Sequence, residues 1–360
     1  MSVMAYSFDE IQALPKSLLH DHLDGGLRPA TILEISEEIG HQLPSSDLDD
    51  LAAWFVSGAN TKDLIQYLAI FEHTIAVMQT REHLHRVARE AALDLAADGV
   101  VYAEVRFAPE NHQLRGMSLD AVIEAVQDGF RAGTAEAAAS GKPTIVNTIV
   151  CAMRQAERSV EIARLAVEWS RRDPRVVAFD LAGPETGFPP TDHLEAMDVV
   201  RRSHLHLTLH ASEQPGLELI SQALYCGAER IGHGVRLCDD MTWDGDHIVE
   251  LGHLARYVLE RQIPLEMAPS CHVHVGAVDS FEQHPLVAFH RHGFKVTVNT
   301  DNRLMSGVSV SSETHKLAHT FGLTRTELCE LAVAGVESSF CEWSERRRLV
   351  DDVIRPAYED

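Results

Sequence analysis

The sequence contains no apolar run long enough to cross a membrane. A transmembrane helix needs about 18 or more consecutive apolar residues, and the 360-residue chain has no such run. The N-terminal stretch MSVMAYSFDEIQALPKS contains Asp9 and Glu10 and lacks the apolar segment that a secretory signal requires. We therefore expect a soluble, cytoplasmic protein that does not associate with membranes.

Paired cysteines and positive charge are also scarce. The six cysteines include no C-x-x-C pair, which argues against a cysteine zinc site or a thioredoxin-like motif and favours reduced thiols. Lys and Arg number 31 against 54 Asp and Glu, a formal net charge of −23, without a basic patch. This charge repels nucleic acid and anionic lipids. We expect a small-molecule partner, and the oligomeric state stays open.

No low-complexity tract or flexible linker divides the chain. With 45% hydrophobic residues it is long enough to bury one large core. We therefore predict a single domain over residues 1–360.

Short β-branched runs alternate with longer stretches such as Leu119–Ala138, where apolar residues recur at the three- and four-residue spacing of helices. The eight predicted strands are Ser17–His22, Val100–Ala108, Thr144–Ala152, Val176–Ala182, Leu205–His210, Arg230–Gly234, Ile263–Pro269 and Phe294–Asn299. Such alternation is typical of a parallel sheet with crossover helices. We predict an α/β fold, a TIM-like (β/α)8 barrel with an extra helical segment, Ile32–Asp98, after the first strand and C-terminal helices from Ser312 onward.

Histidine pairs of the form H-x-H are unusually frequent. Chance placement of 21 histidines gives roughly one such pair, and five occur. His20 and His22 end the first predicted strand, where the two-residue period points both imidazoles into the barrel mouth. The other pairs are His83/His85 and His290/His292 in helical patterns, His204/His206 at the start of a strand, and His272/His274 after the seventh strand. The first pair is the candidate metal pair.

Ionisable residues also end the fifth, sixth and eighth predicted strands. His210 is followed by Glu213, His233 lies between two glycines, and Asp301 follows the last strand. Singly, each has an ordinary explanation, such as a helix cap or a first-turn acid. Barrel enzymes carry catalytic residues at the carboxyl ends of their strands, so together these residues form a ring. Three imidazoles and a carboxylate suit Zn²⁺, which lowers the pKa of a bound water to about 7.

Seven segments form an ordered set of motifs over nearly the whole chain. They are LLHDHLDGGLRP (18–29), YAEVRFAPE (102–110), DLAGPE (180–185), LHASE (209–213), RIGHG (230–234), HPL (284–286) and VNTDN (298–302). In order and spacing the sequence resembles the adenosine deaminase family of the amidohydrolase superfamily. The resemblance implies a metal-dependent hydrolase that deaminates a 6-aminopurine nucleoside. The expected reaction converts adenosine or 2′-deoxyadenosine to inosine or 2′-deoxyinosine plus ammonia.

Carried over position by position, the resemblance implies one Zn²⁺ per subunit, bound by His20, His22, His210 and Asp301. It implies catalytic roles for Asp301 and for His233, which would hold and deprotonate the attacking water.

The resemblance also assigns residues to the purine nucleoside itself. Glu213 would protonate purine N1, and Gly183 would offer its backbone N–H to N3. Asn302 would meet N7, Asp24 would lie near the ribose 5′-hydroxyl, and His22 would also face the substrate.

Three departures from the family pattern concern substrate fit. Ser212 stands where the family has glycine and restricts the backbone beside Glu213. Asn302 stands where Asp is common, and an amide still donates a hydrogen bond to N7. The segment SCHVH (270–274) replaces a Ser/Asn-rich stretch and brings Cys271, His272 and His274 to the catalytic face. It reshapes the pocket for an unusual purine nucleoside, binds a second metal ion, or is an ordinary loop variation.

Rival functions differ in what the sequence should contain. A dinuclear amidohydrolase would need a Lys at the end of the fourth strand, which has Asp180 and no Lys. The other zinc deaminase class needs P-C-x-x-C after an H-x-E, which is absent. Enzymes acting on free adenine commonly carry Glu at Asp24, so Asp24 favours a nucleoside. Two other substrates stay open: aminodeoxyfutalosine, and a separate adenosine-like antibiotic precursor. A non-catalytic pseudoenzyme that only binds a purine also stays open.

Overall fold

Eight parallel strands form one sheet that closes on itself. The structure, a computed structural model, describes residues 6–359; residues 1–5, the start of the N-terminal stretch interpreted above, lie outside the described residues. The strands are β1 (Lys16–His22), β2 (Val100–Phe107), β3 (Ile145–Met153), β4 (Val176–Ala182), β5 (His206–Ala211), β6 (Arg230–His233), β7 (Leu265–Met267) and β8 (Val296–Val298). They lie in sequence order around the sheet. The predicted (β/α)8 barrel is confirmed, and each predicted strand ends within two residues of the observed one.

The barrel closes between its first and last strands, at the site end. The His22 N–H donates to the Asp301 carbonyl over 2.7 Å, and the Asp301 N–H donates to the His20 carbonyl over 3.0 Å. This bridge is parallel, like the pairs between the other strands. Closure therefore holds His20 and His22, at the end of β1, beside Asp301, which follows β8.

Helices surround the barrel because its strands are apolar on both faces, as in β4, where every residue is buried. The α-helices are Phe8–Ala13, Pro29–Ile39, Leu48–Ala59, Leu64–Ala69, Phe71–Ala76, Arg81–Ala97, Leu119–Ala139, Ser159–Arg172, Leu194–Arg202, Glu218–Cys226, His253–Arg261, Pro269–His274, Leu286–His292, Arg303–Ser306, Val310–Phe321, Arg325–Glu337, Trp343–Arg348 and Arg355–Tyr358, with a π-helical turn at Leu349–Ile354. Within residues 6–359, none of the helices is both long and apolar enough to span a bilayer.

The extra segment after β1 covers the mouth of the barrel. Its five helices run from Pro29 to Ala97, and Leu64–Ala69 and Phe71–Ala76 face the cavity at the carboxyl ends of the strands. The C-terminal helices close the opposite end, where Ser17 Oγ donates to the Ala332 carbonyl and Arg230 donates to the Ser338 carbonyl. Both predicted helical segments, after the first strand and at the C-terminus, are confirmed.

Two local features differ from the sequence expectations. The segment after β7, expected as a loop, is the short helix Pro269–His274, because Pro269 at its first position already has the helical φ and needs no N–H partner. An antiparallel hairpin, Met241–Asp244 with His247–Leu251, lies outside the barrel and was not predicted. Its turn contains Gly245 at φ 61°.

Candidate active site

A cavity of about 260 Å³ lies at the carboxyl ends of the strands, under the helical segment after β1. Eight predicted site residues line it, namely His22, Asp24, Gly183, His210, Glu213, His233, Asp301 and Asn302. The ninth, His20, is fully buried beside them, with Nε2 3.2 Å from Asp301 Oδ1. The structure thus brings every predicted site residue together. Leu64, Tyr67 and Phe71 form an apolar wall opposite the polar groups.

Three residues at the strand ends have left-handed backbone conformations. Ser212, His233 and Asp301 have φ values of 60°, 63° and 57°. Such conformations are uncommon outside glycine and persist where the surrounding structure holds them, often at functional sites. The chain therefore turns sharply as each strand leaves the barrel, beside the cavity.

Imidazole and carboxylate donors converge in a tight cluster. His20, His210, His233 and Asp301 each offer one donor atom, and these atoms lie within 4.8 Å of one another. His22 joins them, with Nε2 3.1 Å from His210 Nε2 and 3.4 Å from Asp301 Oδ1. These spacings are close to the roughly 3.3 Å between neighbouring ligands of an ion held at 2.0–2.1 Å in a tetrahedron. Among the described residues, buried His20 Nε2 has no hydrogen-bond partner other than Asp301 Oδ1, 3.2 Å away.

Buried carboxylates orient two of these imidazoles from behind. His20 Nδ1 lies 2.9 Å from Glu266 Oε2, and His210 Nδ1 lies 2.9 Å from Asp180 Oδ2. Arg106 forms salt bridges with both carboxylates: its Nη2 lies 2.7 Å from Glu266 Oε2, and its Nη1 lies 2.5 Å from Asp180 Oδ2. Burial alone would raise the pKa of Glu266, but Arg106 and Arg230 hold it well below its usual range. Glu266 therefore accepts from His20, whose other nitrogen is left to face the cluster.

The electrostatics favour the metal-binding form of three of the four expected ligands; burial and Arg106 would lower the pKa of the fourth, His20, but Asp301 and Glu266 raise it. Burial lowers the pKa of His210 and holds that of His22 well below its usual range, so both rings are neutral. Burial would raise the pKa of Asp301, but the hydrogen bond and charge of His20, with His22, hold it well below its usual range. Neutral imidazoles and an ionised carboxylate are the ligand forms that divalent ions require.

The pKa of Glu213 is shifted in the opposite direction to that of Asp301. Burial, followed by the charges of Asp301 and Glu185, raises the pKa of Glu213 well above the usual range, which favours the protonated carboxyl. Its Oε2 lies 3.8 Å from His233 Nε2. A buried protonated carboxyl beside a cluster of imidazoles can donate a proton to a bound ligand.

The helix after β7 reaches the site through two of its three reactive side chains. Cys271 donates from Sγ to Asp301 Oδ2 over 2.7 Å, and its sulfur lies 3.7 Å from Glu213 Oε1. His272 lies 2.9 Å from His233. His274 is half-buried next to Lys62 and Lys316, outside the cavity lining.

Sequence reasoning missed the residues that support the site rather than line it. Glu266 lies inside an apolar strand, and a lone charge there needs a buried partner, which was the available signal. Arg106, Asp180 and His284 lie within the motifs YAEVRFAPE, DLAGPE and HPL, but the sequence analysis gave them no role in the site.

Comparisons with known proteins agree with this geometry. Residues 15–356 match the adenosine deaminase family. The chain is 49% identical to adenosine deaminase 1 of Streptomyces coelicolor over 354 residues, 98% of this chain and 89% of the relative. It is also 49% identical to adenosine deaminase of Mycobacterium tuberculosis over 356 residues, 98% and 97% of the two chains. The structure superposes on adenine deaminase of Arthrobacter aurescens with a TM-score of 0.81 and 25% identity, covering 96% and 100% of the two chains. The chain belongs to the adenosine deaminase family and is an aminohydrolase that carries out adenosine-type deamination.

Proposed function

We propose that this enzyme hydrolyses the 6-amino group of adenosine or 2′-deoxyadenosine, with one Zn²⁺ per subunit, to give the 6-oxopurine nucleoside and ammonia. The observation that carries the proposal is the position of Glu213, a protonated carboxyl directly beside the imidazole and Asp301 cluster on the wall of one cavity. An acid for the ring and a site for the attacking water are thus side by side.

Glu213 would act on purine N1. Addition of water at C6 pushes electrons onto the ring nitrogens, and a proton donated at N1 removes that charge. Because burial favours the protonated form of Glu213, a proton would be available for N1 when the reaction begins. His233 Nε2 faces Glu213 across 3.8 Å, where it can hold the attacking water between itself and C6.

The donor set fits a zinc ion. His20, His22, His210 and Asp301 would hold it, since their donor atoms are 3.1 to 3.4 Å apart along the measured contacts and His20 Nε2 has no other partner. When bound, Zn²⁺ would acidify the attacking water. The carboxylates behind His20 and His210 keep the donor nitrogens aimed inward.

Other cavity residues would orient the nucleoside. Gly183 has φ 95°, a conformation that residues with a side chain rarely adopt, and it lines the cavity, so its backbone N–H would be open to the base. Asp24 Oδ1 and Asn302 Oδ1 are buried without partners and line the same cavity, available to a ligand. Phe71 and Tyr67 would cover the apolar faces of the purine.

A nucleoside is favoured over free adenine. The relatives that are 49% identical are adenosine deaminases, whereas the adenine deaminase is 25% identical. Asp24, with its free oxygen at the cavity wall, can accept a hydrogen bond from a ribose hydroxyl, which adenine lacks.

The test is turnover of purified, metal-analysed enzyme on adenosine, 2′-deoxyadenosine and adenine, followed by absorbance and ammonia release. We expect both nucleosides to react and Glu213→Gln to retain zinc while losing about 10²- to 10⁴-fold in kcat. Glu229→Gln is the matched control, because Glu229 is an exposed carboxylate that also pairs with a histidine, His206. Near-full activity of Glu213→Gln would remove Glu213 from the mechanism, and turnover of adenine alone would refute the nucleoside assignment.

A further inference from the structure

Three imidazoles form a continuous hydrogen-bonded chain leading away from the site. His233 Nδ1 lies 2.9 Å from His272 Nε2, and His272 Nδ1 lies 2.8 Å from His284 Nε2. His284 Nδ1 accepts a hydrogen bond from the backbone N–H of Leu286 over 3.2 Å. All three rings are at least 98% buried. The chain thus begins at a backbone amide and ends at the cavity.

The backbone amide gives this chain a direction. An amide N–H can only donate, so His284 Nδ1 must accept, and the proton of a neutral His284 ring is on Nε2. That proton points at His272 Nδ1, which accepts, so the His272 proton is on Nε2. It points in turn at His233 Nδ1. The only nitrogen of His233 left to carry a proton is Nε2, which faces Glu213.

We propose that His272 and His284 are positioning residues that hold His233 in the tautomer with its proton on Nε2, so that His233 presents an N–H to the attacking oxygen. The proposal deepens the role of His233 and rests on the proposed function for the identity of that oxygen. Acceptance of a proton at Nε2, the role that the family resemblance implies, would require all three imidazoles to reverse their hydrogen bonds against the Leu286 amide. The proton that the attacking water loses would go instead to the carboxylate of Asp301, which lies in the same cluster.

Burial keeps the His272 and His284 rings neutral, as this direction of the hydrogen bonds requires. It lowers the pKa of His272 to about 3 and holds that of His284 well below its usual range. Each ring therefore carries one proton and has one donor and one acceptor nitrogen. A hydrogen-bond donor aimed in advance at an oxygen that gains negative charge needs no rearrangement during the reaction.

Two substitutions of similar shape, His272→Gln and His272→Glu, test the hydrogen-bonded chain of imidazoles. His272→Gln can donate its amide N–H to His233 Nδ1, whereas His272→Glu, as a carboxylate, can only accept there. The matched control is His274→Gln, on the same helix but outside the cavity lining. Metal-loaded protein labelled with ¹⁵N-histidine would be studied by NMR, which distinguishes protonated from bare ring nitrogens, and kcat and KM would be measured in parallel.

We expect a bare Nδ1 and protonated Nε2 on His233 in the wild type, His272→Gln and His274→Gln, and a protonated Nδ1 in His272→Glu. The kcat of His272→Glu should fall on the order of 100-fold, with KM within about threefold of wild type, while His272→Gln stays within about tenfold. A wild-type His233 protonated on Nδ1, or an Nδ1 that stays bare in His272→Glu, would overturn the proposal. Because the NMR result needs no turnover, it stands apart from any failure on adenosine.

Discussion

His210 Nδ1 lies 2.9 Å from Asp180 Oδ2, and Asp180 is itself held by Arg106 at 2.5 Å. Burial would raise the pKa of Asp180, but His210 and Arg106 lower it, so the carboxylate is ionised behind the imidazole. An ionised partner makes the opposite ring nitrogen a better ligand and fixes the direction in which it points.

Asp180→Asn should therefore weaken zinc binding by about 10- to 100-fold, as loss of such outer partners generally does. Competition with a chelator measures the affinity. Glu104→Gln is the control, since Glu104 is a buried barrel carboxylate that pairs with Arg230 rather than with a site histidine. The control should lose stability without losing zinc affinity, and equal zinc affinity in Asp180→Asn and wild type would contradict the assignment.

The enzyme should bind one zinc ion per chain rather than two. Both ring nitrogens of His272 are hydrogen-bonded, one to His233 and one to His284, so neither is free to bind a metal ion. Burial, with the charges of Asp301 and Glu213, raises the pKa of the Cys271 thiol well above its usual range, and a thiol is a poor ligand. Metal analysis after dialysis should give one equivalent for wild type and for Cys271→Ser. Two equivalents, falling to one in Cys271→Ser, would identify a second site.

The sequence predicted the strands and the ring of site residues because both leave local signals. Each strand is a short apolar run, and His20, His210 and Asp301 stand where those runs stop, so the strand ends and the candidate site residues were predicted together. The order of the strands then followed from the rule that consecutive βα units are neighbours.

Partners that meet across the barrel could not be read from the sequence in the same way. Glu266 and His20 are separated by 246 positions, and nothing local shows that they touch. The helix Pro269–His274 was missed because six residues are too few for a helical period to appear. His272 and His274 differ by only two positions, yet one contacts His233 and the other lies outside, a difference set by the helix rather than by residue type.

Ser212 should tolerate glycine better than alanine. Its φ of 60° is a conformation that costs a non-glycine residue roughly 1 kcal/mol, and its Oγ donates to the Gly216 carbonyl over 2.6 Å. Ser212→Ala keeps the strain and loses the bond, so it should lower the free energy of unfolding by about 1 kcal/mol. Ser212→Gly loses the bond but relieves the strain and should lie close to wild type. Denaturant unfolding checks the order, which fails if Ser212→Ala is the more stable of the two variants.

Glu110 should make the folded protein less stable as the pH rises towards neutrality. Burial raises the pKa of this carboxyl from 4.5 to about 7, although it accepts a hydrogen bond from the Met153 N–H, and its Oε2 is buried without a partner. Between these pH values the folded protein keeps a proton that the unfolded chain has lost, so folding takes up a proton. The associated stability is fully present below pH 4.5 and is lost as the pH rises through about 7.

The free energy of unfolding of wild type, measured relative to Glu110→Gln, should fall by up to roughly 3 kcal/mol across this window. Glu124→Gln, which replaces an exposed carboxylate, should follow the wild-type curve. A difference between wild type and Glu110→Gln that is constant with pH would show that folding does not shift the pKa of Glu110.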